Sequence, residues 1–185
     1  NKKEVFAWSM YDFANQPFTN LVVTFIYGTF FTTVIASNEI EGTQQWSHAV
    51  SITAIIVALL SPVMGAVADR GGYRKMFMFG FTWLTIVSTT VLYFVLPGDV
   101  YRALFWFVIA NVGFEMGSVF CNAYLPDISH SKNIGRISGY GWSLGYVGGL
   151  IALALAMVFL VQAEMPIFGF GKGEVGAYEN IRATN

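Results

Sequence analysis

Long apolar runs alternate with short polar connectors along the chain. Crossing roughly 30 Å of hydrocarbon takes about 20 residues of helix. Five runs approach that length, over residues 6–36, 47–68, 76–96, 102–125 and 138–162. The first is densest over residues 18–36, and Pro17 is expected to kink it. Charge and turn residues separate the runs: a polar stretch at 37–46, the connector 69–75, Pro97-Gly98-Asp99, and a second polar connector at 126–137. The Gly-rich stretch 169–185 is no longer apolar, so residues 163–185 read as a loop leading towards a sixth span. The pattern predicts an all-α integral membrane fold with five transmembrane helices.

Composition agrees with lipid as the main solvent, since 55% of the 185 residues are hydrophobic and only 11% are charged. The net charge of −1 points to no class of partner. Aromatic residues fall inside the apolar runs and not between clustered Lys and Arg, which argues against nucleic acid. The single cysteine, Cys121, offers no disulfide, and no His or Cys cluster has metal-ligand spacing, so neither a metal nor another cofactor is expected. Asp12, Asn15 and Gln16 interrupt the run near the start, which reads as mature chain and not as a signal-peptide core.

Positive charge sets the expected orientation, because cytoplasmic connectors hold the excess of Lys and Arg. Lys2, Lys3, Arg70, Arg74, Lys75, Lys132 and Arg136 fall on one side, whereas the alternate connectors hold Arg102 beside Glu39, Glu41 and Asp99. The amino terminus is therefore expected in the cytoplasm. In a bacterium the membrane would be the plasma membrane.

Two helices carry small side chains at intervals of three or four residues: Ser47, Ser51, Ala54, Ala58, Ser61 and Gly65 in the second span, and Gly141, Gly145, Gly148 and Gly149 in the fifth. Such faces let another helix approach closely, either as fixed packing or as surfaces that slide during function. A charge inside lipid calls for a reason, and two carboxylates stand out, Glu115 near the middle of the fourth span and Asp12 in the first. Desolvation penalises the bare charge, which suits binding of a proton or cation. The alternative is a carboxylate satisfied by neighbouring polar groups. Asn15, Asn20, Asn111 and Asn122 add amides to the same two spans, for a central polar path or for hydrogen bonds between helices. Trp8, Trp46 and Trp106 read as interfacial anchors, and Trp83 and Trp142, further in, as volume fillers.

Gly141-Trp-Ser143-Leu-Gly145 matches the G-x-S-x-G nucleophile elbow in letters. An elbow needs a preceding strand and a His partner, but Ser143 lies on an apolar helix and both His48 and His130 precede it, so an intramembrane serine protease is a remote reading. No catalytic residue and no enzyme activity are expected. Gly169-Phe-Gly171-Lys-Gly173 lacks the spacing of a phosphate loop.

The most specific stretch is Gly65-Ala-Val-Ala-Asp69-Arg70-Gly-Gly72-Tyr73-Arg74-Lys75. It resembles the G-x-x-x-D-R-x-G-R-[RK] signature of the major facilitator superfamily, between helices two and three, with Tyr73 where the family usually has Arg. The resemblance implies a cytoplasmic gating network of Gly65, Asp69, Arg70, Gly72, Arg74 and Lys75 with an acidic group at the end of helix four, here Asp127. Trp8-Ser-Met-Tyr11-Asp12-Phe13-Ala14-Asn15, Asn122-Ala-Tyr124-Leu-Pro126 and the stretch Gly135-Arg136 to Gly148-Gly149 resemble the autophagy-linked vacuolar effluxer branch and its bacterial relatives. The implied architecture is a twelve-helix permease, of which this chain would be most of the six-helix N-terminal half, residues 1–185, with a C-terminal half further on.

The implied function is secondary transport of a small solute, with amino acids the class linked to eukaryotic members, by alternating access around Asp12, Asn15, Asn111 and Glu115. A coupling ion would bind beside the solute, and the lipid bilayer is the remaining partner. The chain departs from the family in lacking the R-x-x-x-G pattern of proton-coupled members in the fourth span. It also has Gly145-Tyr146-Val-Gly148-Gly149 in place of the antiporters' G-P-x-x-G-G. A membrane receptor or scaffold without transport is the alternative.

Overall fold

The structure, a computed structural model, describes residues 2–161, with side chains described as far as residue 159. The expected loop over 163–185 and the glycines at 169–173 lie outside the described residues. Five helices are long and apolar enough to cross a membrane. We label them α1 (Lys2–Ile35), α2 (Glu39–Gly71), α3 (Arg74–Leu92), α4 (Val100–Asn122) and α5 (Ile134–Ala156). A single helical turn, Leu125–Ile128, follows α4, and π-helical turns over Met157–Val161 extend α5.

The expected kink at Pro17 takes the form of a change in hydrogen-bond register. Regular helix over Lys2–Pro17 gives way to π-helical turns over Phe18–Phe25 and again over Phe31–Ile35. Pro17 has no N–H to offer the Phe13 carbonyl, and its ring crowds that carbonyl. The wider turns begin at the next residue: the Ile26 N–H bonds to the Leu21 carbonyl at 3.1 Å and the Ala36 N–H to the Phe31 carbonyl at 2.9 Å.

Hydropathy misplaced several helix ends because polar caps extend the helices past the apolar runs. α2 begins at Glu39, inside the stretch expected to be a connector, since the Asn38 Oδ1 accepts the Glu41 N–H at 2.9 Å and the Asn38 amide donates to the Glu41 carboxylate at 3.0 Å. It stops where Gly72 adopts a left-handed φ of 67°, a conformation open to glycine. α3 ends before residue 96, tightening into i→i+3 bonds such as Phe94 N–H to the Val91 carbonyl at 3.0 Å. α5 starts at Ile134 and not at 138, because the Asn133 side chain accepts the His130 N–H at 2.7 Å and organises the preceding turn.

α4 is the centre of the bundle: half of its apolar window is buried, against 6% for α2. α3 and α2 lie along α4, and α1 pairs with α5 while also touching α4. Phe31, Ile35, Ala49, Leu92 and Phe107 form the core at one end, and Ala68, Met116 and Phe120 form a second cluster with Phe77 and Phe81. The Phe120 ring stacks on both of those phenylalanines, at centroid distances of 5.4 and 5.8 Å.

The tryptophans depart from expectation. Trp8 is buried and its indole N–H bonds to the Cys121 carbonyl at 2.9 Å, joining α1 to α4 instead of anchoring at an interface. The Trp46 N–H bonds to the Val23 carbonyl at 3.2 Å, and its ring lies 3.9 Å from that of Phe107. Trp83 and Trp142, expected to fill volume, are exposed on the outside of the bundle. An indole N–H inside a span needs an acceptor, and these helices offer backbone carbonyls where α1, α2 and α4 converge.

Candidate functional site

Four of the expected gating residues meet at one end of the bundle. α2 ends with Asp69, the left-handed Gly72 turns the chain sharply, and Arg74 opens α3. The turn aims the guanidinium both back at Asp69 and across to the residues that follow α4. Arg74 Nε donates to Asp69 Oδ1 at 2.7 Å, and Nη1 donates to Asp127 Oδ2 at 2.8 Å and to the Ala123 carbonyl at 3.4 Å. One guanidinium thus ties α2, α3 and the turn after α4 together, using the planar fork that Lys lacks.

Arg70 and Lys75 are exposed and make no ion pair among the described residues. Gly65 has open space where a Cβ would stand. At Tyr73, where the resemblance leads one to expect Arg, the ring packs edge-on against Phe77, with centroids 6.5 Å apart, and covers Gly71.

The expected pathway residues separate into two contacts. Asn111, Glu115 and Ser118 follow at intervals of four and three along α4 and so share a stripe. The Asn15 amide donates to the Ser118 hydroxyl at 3.1 Å, and Phe18 stacks on Phe114 with centroids 5.0 Å apart, which fixes this stripe against α1. Asn111 is buried, whereas Glu115 is exposed and takes neither a hydrogen bond nor an ion pair among the described residues. Asp12 does not join this stripe. Its carboxylate faces α5, where a Cβ on Gly145 would lie 3.2 Å from Oδ2.

The four glycines of α5 all meet α1. A Cβ on Gly141 would overlap the Trp8 ring, one on Gly148 the Phe13 backbone carbonyl, and one on Gly149 the Asn20 amide. The Phe13 carbonyl is the one that Pro17 leaves without its helical donor, and Gly148 is where it comes to rest against α5. The small residues of α2 behave differently: Ser47, Ser51, Ala54 and Ala58 are exposed, so the close approach expected there is not made among the described residues.

Sequence reasoning passed over several polar partners. The Tyr11 and Thr82 hydroxyls bond at 2.9 Å, and the Thr85 hydroxyl reaches the Ala110 carbonyl at 3.3 Å. Ser118 could have been found from its place on the Asn111–Glu115 stripe, whereas no local signal marks Thr82. Ser143 sits in the middle of α5, a helix with no strand leading into it. Among the described residues no His, Cys, Asp and Glu side chains group so as to hold a metal ion.

Residues 46–134, from α2 to the first residue of α5, match the family described as vacuole effluxer Atg22 like. An uncharacterised MFS-type transporter of Bacillus subtilis, YxiO, is 29% identical over 88% of this chain and 39% of its own length. An uncharacterised protein of Aquifex aeolicus is 29% identical over 98% of this chain and 50% of its own length. Autophagy-related protein 22 of Coccidioides immitis is 35% identical over 43% of this chain and 13% of its own length. The chain therefore spans half or less of these curated relatives. No solved structure gives a significant match. Five apolar helices make the chain a multi-pass membrane protein, and what it is similar to is an MFS-type transporter and Atg22-like vacuole effluxers.

Proposed function

We propose that this chain supplies five helices of the N-terminal half of a secondary active transporter, which moves a small solute by alternating access against a second six-helix half. The names of its relatives, an MFS-type transporter and vacuole effluxers, support transport as the activity. Amino acids are the solute class that the resemblance implies. The excess of Lys and Arg at the Arg74 end supports a cytoplasmic amino terminus, and in a bacterium the membrane is the plasma membrane.

Glu115 is the observation that carries this reading. A charged group at the centre of a membrane helix costs roughly 2.5–3.5 kcal/mol on insertion scales. Glu115 is nevertheless exposed, with no partner among the described residues of the five helices. A carboxylate in that position is tolerable where its face of α4 lines a polar path shared with a second half, and it then binds a coupling ion or a cationic group of the solute. Asn111 on the same stripe and Asn15 across from it supply neutral hydrogen-bonding groups, and Asp12 adds a second carboxylate at the α1–α5 contact.

In this mechanism the Arg74 clamp stabilises the state closed at its own end. Opening there separates Arg74 from Asp127, and so breaks one charge-assisted bond between α3 and the segment after α4. Both partners are partly solvated, with side-chain exposures of 29% and 57%. An exposed pair of this kind is weak, a latch that differential solute binding can release.

A flux assay on the full-length protein in proteoliposomes tests the assignment. Glu115→Gln is expected to lower uptake at least tenfold and to flatten its dependence on pH or on the coupling cation. Uptake and ion dependence equal to those of the unaltered protein would remove Glu115 from the pathway.

A further inference from the structure

A cavity of about 400 Å³ lies between α2 and α4 at the end opposite the Arg74 clamp, a size within the range of ligand pockets. Gln45, His48 and Ile52 of α2 and Leu104, Phe105 and Val108 of α4 form most of its wall. None of its lining residues is Asp, Glu, Lys or Arg. Gln45 is set apart by its Oε1, which is buried and accepts no hydrogen bond among the described residues. A buried acceptor without a donor is unfavourable, so the site suits an occupant that brings an N–H or O–H into an otherwise apolar space.

The cavity also lies in line with Glu115. Leu104, Val108, Asn111 and Glu115 follow at intervals of four, three and four, so the α4 wall and the unpaired carboxylate share one stripe. Side chains of a helix lean towards its N-terminus, which for Glu115 is the cavity end. Both α2 and α4 begin at this end, where the exposed carboxylates of Glu39, Glu41 and Asp99 face one cation, Arg102, among the described residues. Asp99 and Arg102 stand 4.0 Å apart, which leaves the rim acidic.

We infer that this cavity is an outer stop on the solute path and that it takes a primary amine with an apolar body. The ammonium donates to Gln45 Oε1 while the body lies on Ile52, Leu104 and Val108, and the amine then passes along the α4 stripe to the Glu115 carboxylate. This rests on Glu115 being part of the path. The acidic rim draws a cation and repels an anion, an acyl chain brings no donor for Gln45, and a sugar leaves the apolar wall unused. A carboxylate on the solute meets no cation in the cavity, so this stop does not require one.

Binding of labelled phenethylamine to the full-length protein in detergent micelles, read by scintillation proximity, tests the inference. Phenethylamine is expected to bind at least as tightly as phenylalanine. Ethylamine, without the apolar body, and phenylacetate, without the amine, should each bind at least about tenfold more weakly. Gln45→Leu lowers phenethylamine affinity about tenfold, the loss expected for one hydrogen bond to a charged group. Ile52→Trp, which narrows the cavity from an exposed position, serves if Gln45→Leu does not purify as a monodisperse species. Gln44→Leu, an exposed amide outside the cavity, leaves affinity unchanged. No binding of phenethylamine, tighter binding of phenylalanine, or full affinity in both cavity variants would overturn the inference. The loss in Gln45→Leu should persist when Glu115→Gln is added. Flux unaffected by Glu115→Gln defeats the reading of Glu115, whereas full affinity in the cavity variants beside a Glu115→Gln protein that has lost flux defeats the outer stop alone.

Discussion

The small-residue faces of α2 and α5 use one sequence device and come to opposite ends. On α5, Gly141, Gly145, Gly148 and Gly149 are buried, and each has an atom of α1 where its side chain would be. On α2, Ser47, Ser51, Ala54 and Ala58 lie exposed, and Gly65 faces open space. Spacing alone says that a helix can come close. Whether one does depends on what the opposite helix brings: α1 brings an indole, a carboxylate, a freed carbonyl and an amide, which together leave no room for a Cβ. The α5 face is packed against α1, while the α2 face is left open among the described residues.

Substitutions should widen or close that contrast in a graded way. The largest effect is expected for Gly148→Ala, because the new methyl meets the Phe13 backbone carbonyl and backbone yields less readily than a side chain. A loss of about 3 kcal/mol, at the upper end for overpacking, would appear as a lowered denaturant midpoint in mixed micelles. An unchanged midpoint would mean that α1 and α5 are not held this closely.

Gly145→Ala should cost less, about 1 kcal/mol, since its methyl approaches a carboxylate that can rotate away. Combining it with Asp12→Ala should recover most of that loss, and a double-mutant cycle measures the coupling. Strict additivity would show that Asp12 does not face Gly145. The smallest change is expected for Ala58→Leu on the exposed α2 face, within about 0.5 kcal/mol for the five-helix unit itself. If the same substitution cuts flux in the full-length protein while its unfolding midpoint stays put, the α2 face meets a moving surface. A large fall in stability would instead mean that this face is packed as tightly as that of α5.

The charge motif shows how far residue types carry. Its letters, with the family resemblance they carry, placed Asp69, Arg74 and Asp127 in one network, and the three do meet, because a left-handed Gly72 turns α2 directly into α3. They did not separate Arg74, which makes both ion pairs, from Arg70 and Lys75, which make none among the described residues. Asn15 and Glu115 were legible as polar groups inside spans. That Asn15 bonds to Ser118, and that Asp12 turns towards α5 and away from the α4 stripe, depends on how α1 is rotated between two neighbours. Composition has no access to that rotation.

The number of spans, their order and the glycine spacing were determined by the sequence alone, because hydropathy and a period near 3.6 residues act within about 20 positions along the chain. Helix ends were less legible, since caps such as Asn38 and Asn133 extend helices through residues that are polar on average. Burial was decided only by the tertiary structure. Trp8 looks like an interfacial anchor until Cys121, 113 residues away, supplies its acceptor, and Trp142 looks like a core residue until α5 turns its glycines inward and presents that ring to the outside. Such pairings depend on which faces of separate helices find each other in space, and no local rule of hydropathy or spacing encodes that choice.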